Sequence, residues 1–137
     1  MRINDKIREI EKYLKELNEI KPETLSEYKE LKTKAACERY FEKIIEAVID
    51  LAFLTIKELG LKIPEEDKKA FDILAERSII SKELSQKLKE AKGMRNIISH
   101  EYGIIEDKVV FESITEQLEE DVSEFLESIE THIKKTA

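Results

Sequence analysis

Tryptophan is absent from this chain of 137 residues, and cysteine, proline and glycine are scarce at one, two and three copies. Each shortage excludes something. The lone Cys37 leaves no internal disulfide and no cysteine-based zinc cluster, a usage that suits a reducing cytosol. It lies mid-helix, where a small buried apolar residue is the expectation and a reactive thiol the alternative. So few glycines and prolines cannot punctuate an all-β chain with its many turns. No apolar run approaches the roughly 20 residues of a bilayer span, and the opening "MRINDKIREI" carries no signal-peptide core. A soluble cytoplasmic protein without membrane contact is therefore expected. Basic excess is lacking too: 24 Lys and Arg stand against 31 Asp and Glu, a formal charge of −7. That balance argues against a surface basic all over, as broad nucleic-acid binding needs, and leaves room for a local basic cleft.

What is present is charge and hydrophobicity in helical alternation, 40% charged and 41% hydrophobic, in a length suited to one domain, residues 1–137. Ile3, Ile7, Ile10, Leu14 and Leu17 recur at steps of three or four, and Lys21-Pro22 ends that helix. A second helix is expected from about residues 23–26 to Gly60, a C-cap glycine, with no internal breaker. Its middle, "IIEAVIDLAFL", is apolar on more than one face, which places it centrally or at a subunit interface. A short helix follows, with Pro64 near its start and an apolar stripe at Ala70, Phe71 and Leu74. Ser81 reads as the N-cap of the next, which carries Leu84, Leu88, Ala91, Met94 and Ile98 and ends at Tyr102-Gly103. The segment "IIEDKVVFESI" admits a strand at 109–111. A helix from near Asp107 continues one stripe through Phe111, Ile114, Leu118, Val122, Phe125, Leu126 and Ile129 and is preferred. The expected fold is all-α: an antiparallel up-and-down bundle of four main helices with one additional short helix.

One stretch departs from plain amphipathic helix. "GMRNIISHEYG" gathers Arg95, Asn96, Ser99, His100, Glu101 and Tyr102 at a helix end. At 100° per residue, Arg95, Ser99 and Tyr102 align at i, i+4 and i+7, and Asn96 and His100 form a second pair beside them. His100 then lies about 140° around from Arg95, so a distorted last turn or a second copy across a two-fold axis is needed to aim both at one atom. The set suits RNA cleavage without metal. An imidazole exchanges protons near neutral pH, and a guanidinium fork holds a phosphate and the charge that develops on it. Asn96 can bond the phosphate or position the ring, and Tyr102 can stack on a base or carry a modification. The same residues also serve as a simple helix-end arrangement of cap and ion pairs. On the second helix, Glu46 and Asp50 lie at i, i+4 amid apolar neighbours, with Arg39 about two and three turns before them. As buried carboxylates they need a partner, and Arg95 of the same or another subunit fits. The alternative has both facing solvent or paired with Lys43 and Lys57. His132 reads as a solvated helix-end cation. No metal cluster, phosphate loop or nucleophile–base pair is legible, so no metal and no cofactor are expected.

"MRNIISHEY" resembles the Arg-x-x-x-x-His-x-Tyr signature of the HepT-type toxins of the HEPN superfamily. "ERYFEKIIEAVIDLA", "FDILAERSIISKELSQKLKEAKGMRN" and "FLESIETHI" resemble that family in order and spacing, over roughly residues 25–135. The resemblance implies a homodimeric helical bundle and a metal-independent endoribonuclease toxin whose cleft forms at the dimer interface. It implies an antitoxin partner of the minimal nucleotidyltransferase (MntA) type and an RNA substrate. It assigns Arg95 and His100 to the catalytic pair, with Asn96, Glu46 and Asp50 in support. Tyr102 becomes the tyrosine that the antitoxin modifies with AMP, which would put phosphate charge in the cleft and exclude RNA. A rival reading from another class is a non-catalytic helical subunit that presents nucleotide or substrate to a nucleotidyltransferase.

Overall fold

The computed structural model describes residues 2–100 and 106–136, and of His100, Lys135 and Thr136 the backbone alone. Helix α1 (Arg2–Ile20) buries Ile3, Ile7, Ile10, Leu14 and Leu17, the spacing seen in the sequence. Lys21 still donates to the Leu17 carbonyl over 2.8 Å before Pro22 ends the pattern.

The second helix differs from expectation. A single turn, α2 (Leu25–Tyr28), is capped by Thr24, whose side chain accepts from the Glu27 N–H. Glu30 then turns extended, with φ −62° and ψ 134°, before α3 (Leu31–Glu58) begins. The break has a tertiary cause. Tyr28 is fully buried with its ring 5.9 Å from that of Phe111, and burying an aromatic ring outweighs the modest gain of continuing one helix. At about 1.5 Å per residue the 28 residues of α3 still run about 42 Å. Ile44, Ile45, Val48, Leu51 and Ala52 are buried along it, and α1, α4 and α5 all pack on it, so the broadly apolar helix is the central one.

Gly60 closes α3 as expected, at φ +71° with the Leu61 N–H bonded to the Ile56 carbonyl over 3.2 Å. Helix α4 (Asp67–Glu76) starts beyond Pro64, with Glu66 as its N-cap. It ends in a similar left-handed turn, made here by Ser78 at φ 59°, with Ile79 N–H to Leu74 O at 2.9 Å. Helix α5 (Lys82–His100) begins where Ser81 Oγ accepts the Leu84 N–H at 3.0 Å, the cap expected from sequence.

The last rod is α6 (Asp107–Glu112), a π-helical turn at Ser113–Gln117 and α7 (Leu118–Thr136). Residues 109–111 are helical, which decides against the strand. The wider π turn keeps steps of four on one face, so Val110, Ile114, Leu118 and Val122 are all buried. Phe111, expected in that stripe, is only half-buried.

Side-chain pairs record the antiparallel order: Lys6 meets Asp50 while the Tyr40 hydroxyl donates to Glu16 between α1 and α3, and Lys89 meets Asp72 while Lys92 meets Asp67 between α5 and α4. The fold is all-α, with four long rods, α4 as the shorter extra helix and α2 as a further turn. Phe71 of α4 and Phe125 of α7 meet edge to face at 6.1 Å inside the bundle. Among the described residues, no helix is long and apolar enough to cross a membrane.

Candidate active site

The C-terminal half of α5 lies antiparallel to α3, and two side-chain pairs tie them. Arg95 Nη2 stands 3.6 Å from Glu46 Oε2. One turn on, Ser99 Oγ donates to Glu42 Oε2 over 3.0 Å. Both helices supply residues four apart, so the pairs form two rungs of one ladder, the helix-to-helix use of i, i+4 spacing. The Arg95 side chain is 21% exposed and that of Glu46 60%. Arg95 Nε is buried without a hydrogen-bond partner, which leaves one edge of the guanidinium fork with an unused donor.

Glu46 and Asp50 are not buried carboxylates, as the sequence suggested. Both residues are exposed, because the apolar sides of α3 face α1, α4 and α5 and leave the ridge between them to solvent. Their partners differ as well. Glu46 takes Arg95, and Asp50 takes Lys6 of α1 at 3.6 Å, with Lys6 also 3.1 Å from Glu9. Partial desolvation against α1 pushes the Asp50 carboxyl up; Lys6 opposes this and the nearby Glu46 adds to it. Lys43 pairs with neither carboxylate: its ammonium lies over the rings of Tyr13 and Tyr40, at 4.5 and 5.1 Å. Arg39 is exposed on the same helix, and Asn96 is half-buried.

The expectations for His100 and Tyr102 fall outside the described residues. The backbone of His100 closes α5, so its place in the chain is one residue beyond the Ser99–Glu42 rung. Cys37 is fully buried, and burial pushes its thiol up, which makes it a packing residue. His132 is half-buried, not solvated as read from sequence.

Sequence reasoning missed Glu42. The usable signal was the matched spacing, Glu42 and Glu46 on one helix against Arg95 and Ser99 on the other. Helix α5 is held at its middle by Lys89–Asp72 at 2.7 Å and Lys92–Asp67 at 3.1 Å, just before the turn that carries Arg95. Beside it, a groove of about 260 Å³ with Phe41, Ile45, Leu88 and Met94 among its lining runs between α3, α5 and the α6–α7 rod. Among the described residues, no group of three or more His, Cys, Asp or Glu is placed to hold a metal ion. The arrangement offers a partly exposed guanidinium held by a loose ion pair, suited to an anionic oxygen.

Comparison with known proteins bears on what that anion is. The family model described as Ribonuclease HepT-like matches residues 3–129. A putative RNase of Archaeoglobus fulgidus is 30% identical over 129 residues, covering 91% of this chain and 96% of that protein. The mRNA nuclease HepT of Shewanella oneidensis is 32% identical over 88 residues, covering 64% and 65%. Among solved structures, the tri-AMPylated Shewanella oneidensis HEPN toxin in complex with MNT antitoxin matches with a TM-score of 0.88 at 26% identity, covering 94% of this chain and 96% of that one.

Proposed function

The chain belongs to the HepT-like ribonuclease family, and from that premise we propose that it is a metal-independent endoribonuclease toxin acting at a cleft between two copies of itself. The observation that carries this reading is the Arg95 guanidinium, mostly sheltered on α5 with its Nε unpartnered, at the start of an Arg-x-x-x-x-His-x-Tyr run.

In the proposed reaction His100 takes the proton of a ribose 2′-hydroxyl. The freed oxygen attacks the adjacent phosphorus, and the bond to the 5′-oxygen of the next nucleotide breaks. A protonated imidazole returns a proton to that leaving oxygen, giving a cyclic phosphate and a 5′-hydroxyl. Arg95 holds the phosphate and stabilises the charge that builds on its oxygens. Asn96 lies beside it to bond phosphate or ring. On an ideal helix His100 and Arg95 diverge by about 140°, and a second copy across a two-fold axis supplies the missing geometry, each protomer giving one segment.

The partner in this reading is a minimal nucleotidyltransferase antitoxin, as in the matched Shewanella complex. Tyr102 is the acceptor of AMP, two residues beyond His100, where an added phosphate occupies the cleft and repels RNA. The test is expression without that partner. Growth halts with the native chain and continues with Arg95→Ala at equal protein level. Unimpaired growth with the native chain overturns the toxin and favours the non-catalytic subunit.

A further inference from the structure

Resting on the nuclease reading above, we propose that Glu46 is a displaceable counter-ion that competes with RNA phosphate for Arg95, so that this carboxylate holds down the affinity of the site instead of serving catalysis.

A guanidinium that is mostly buried needs a compensating charge, and in the free protein Glu46 provides it. The contact is loose. At 3.6 Å from Nη2 it lies in ion-pair range but beyond a good N–H···O hydrogen bond, and the buried Nε has no hydrogen-bond partner to add to it. The two other carboxylates of the same row have different attachments: Glu42 accepts from Ser99 and Asp50 pairs with Lys6. Glu46 is the one that faces Arg95, and its side chain is 60% exposed. Rotation into solvent therefore costs it little hydration. A phosphate offers Arg95 two oxygens in a fork-matched geometry, which a carboxylate at this distance does not. Incoming RNA replaces the loose pair with a tighter one, and Glu46 leaves. Until it does, its charge repels the approaching phosphate, and so does that of Glu42 one turn away.

The inference separates from a positioning role by sign. A carboxylate that positions Arg95 helps RNA binding or turnover, and its removal weakens one or both. A counter-ion resists RNA, and its removal tightens binding. Since partly exposed pairs of this kind are weak, the gain is about fivefold in Kd.

The experiment measures binding of a fluorescent single-stranded RNA whose 2′-hydroxyls are methylated, so that no cleavage intervenes, to the full-length chain. Four proteins are compared: native, Glu46→Gln, Arg95→Ala, and the double variant. The expected result is tighter binding by Glu46→Gln, weaker binding by Arg95→Ala by at least about tenfold, and a much smaller effect of Glu46→Gln when Arg95 is already gone. The gain also shrinks as salt rises, because pair and repulsion are both screened. Thermal melting of each variant checks the fold. Unchanged or weaker binding by Glu46→Gln overturns the counter-ion while leaving the nuclease intact, provided the native chain cleaves unmodified RNA. Equal tightening with and without Arg95 overturns it too, leaving only general repulsion. Failure of the native chain both to bind and to cleave overturns the nuclease and the counter-ion together.

Discussion

Ser99 on α5 donates a 3.0 Å hydrogen bond to Glu42 on α3, one turn along from the Arg95–Glu46 pair and one residue before His100. The bond joins two helices far apart in sequence and fixes the azimuth of the last turn of α5. Ser99→Ala is expected to cost about 1 kcal/mol of stability, about 3 °C in melting temperature, and to slow RNA cleavage severalfold. Glu42→Ala has the same effect, and combining the two adds little. Glu42→Gln, whose amide oxygen still accepts, retains most of both. Melting curves and cleavage rates of the set check this; full additivity would show that the two residues do not act together.

Ser78 holds a left-handed backbone at φ 59° after α4, where the only other described positive φ belongs to Gly60. A Cβ in that region costs energy that glycine avoids. Ser78→Gly is therefore expected to stabilise the protein by about 0.5–1 kcal/mol, raising the melting temperature by about 1.5–3 °C. Chemical denaturation checks the sign, and a loss of stability contradicts the strain.

Asp50 carries a pH signature. Its side chain is about half exposed, and the desolvation of the remainder pushes its carboxyl up, with Lys6 pulling the other way and Glu46 pushing further. A folded pKa above the unfolded value near 3.9 means that ionised Asp50 opposes folding at neutral pH. That penalty is lifted as pH falls through the folded value and both states become protonated. Asp50→Asn is accordingly expected not to lower the melting temperature at pH 7, and its advantage fades toward pH 4. Lys6 keeps Glu9 at 3.1 Å in the variant's background. A drop of several degrees at pH 7 would mean that the Lys6 pair outweighs burial.

Features written in neighbouring residues were legible in the sequence. The five-residue stripe of α1, the Ser81 cap, the Gly60 turn and the start at Asp107 each depend on a few adjacent positions, and each is in place. Features decided by distant contacts were not. Tyr28 breaks the expected long helix because its ring packs beside Phe111. Ser78 adopts a turn normally signalled by glycine. The π turn at residues 113–117 moves Val110 inward in place of Phe111. At the site, the shared face of Arg95 and Ser99 followed from helical spacing, and Glu46 as the partner of Arg95 was among the options. That Asp50 turns to Lys6, and that Glu42 receives Ser99, depends on which helices lie side by side, which no local pattern encodes.

RNA cleavage by the purified full-length chain in excess chelator tests the central claim most directly, with Arg95→Ala and His100→Ala measured beside the native protein. The expected outcome is cleavage by the native chain, fragments ending in cyclic phosphate, and a loss of at least about a hundredfold in each variant whose melting temperature is otherwise preserved. Cleavage that appears only when Mg²⁺ is restored, or that proceeds equally fast in His100→Ala, would contradict it.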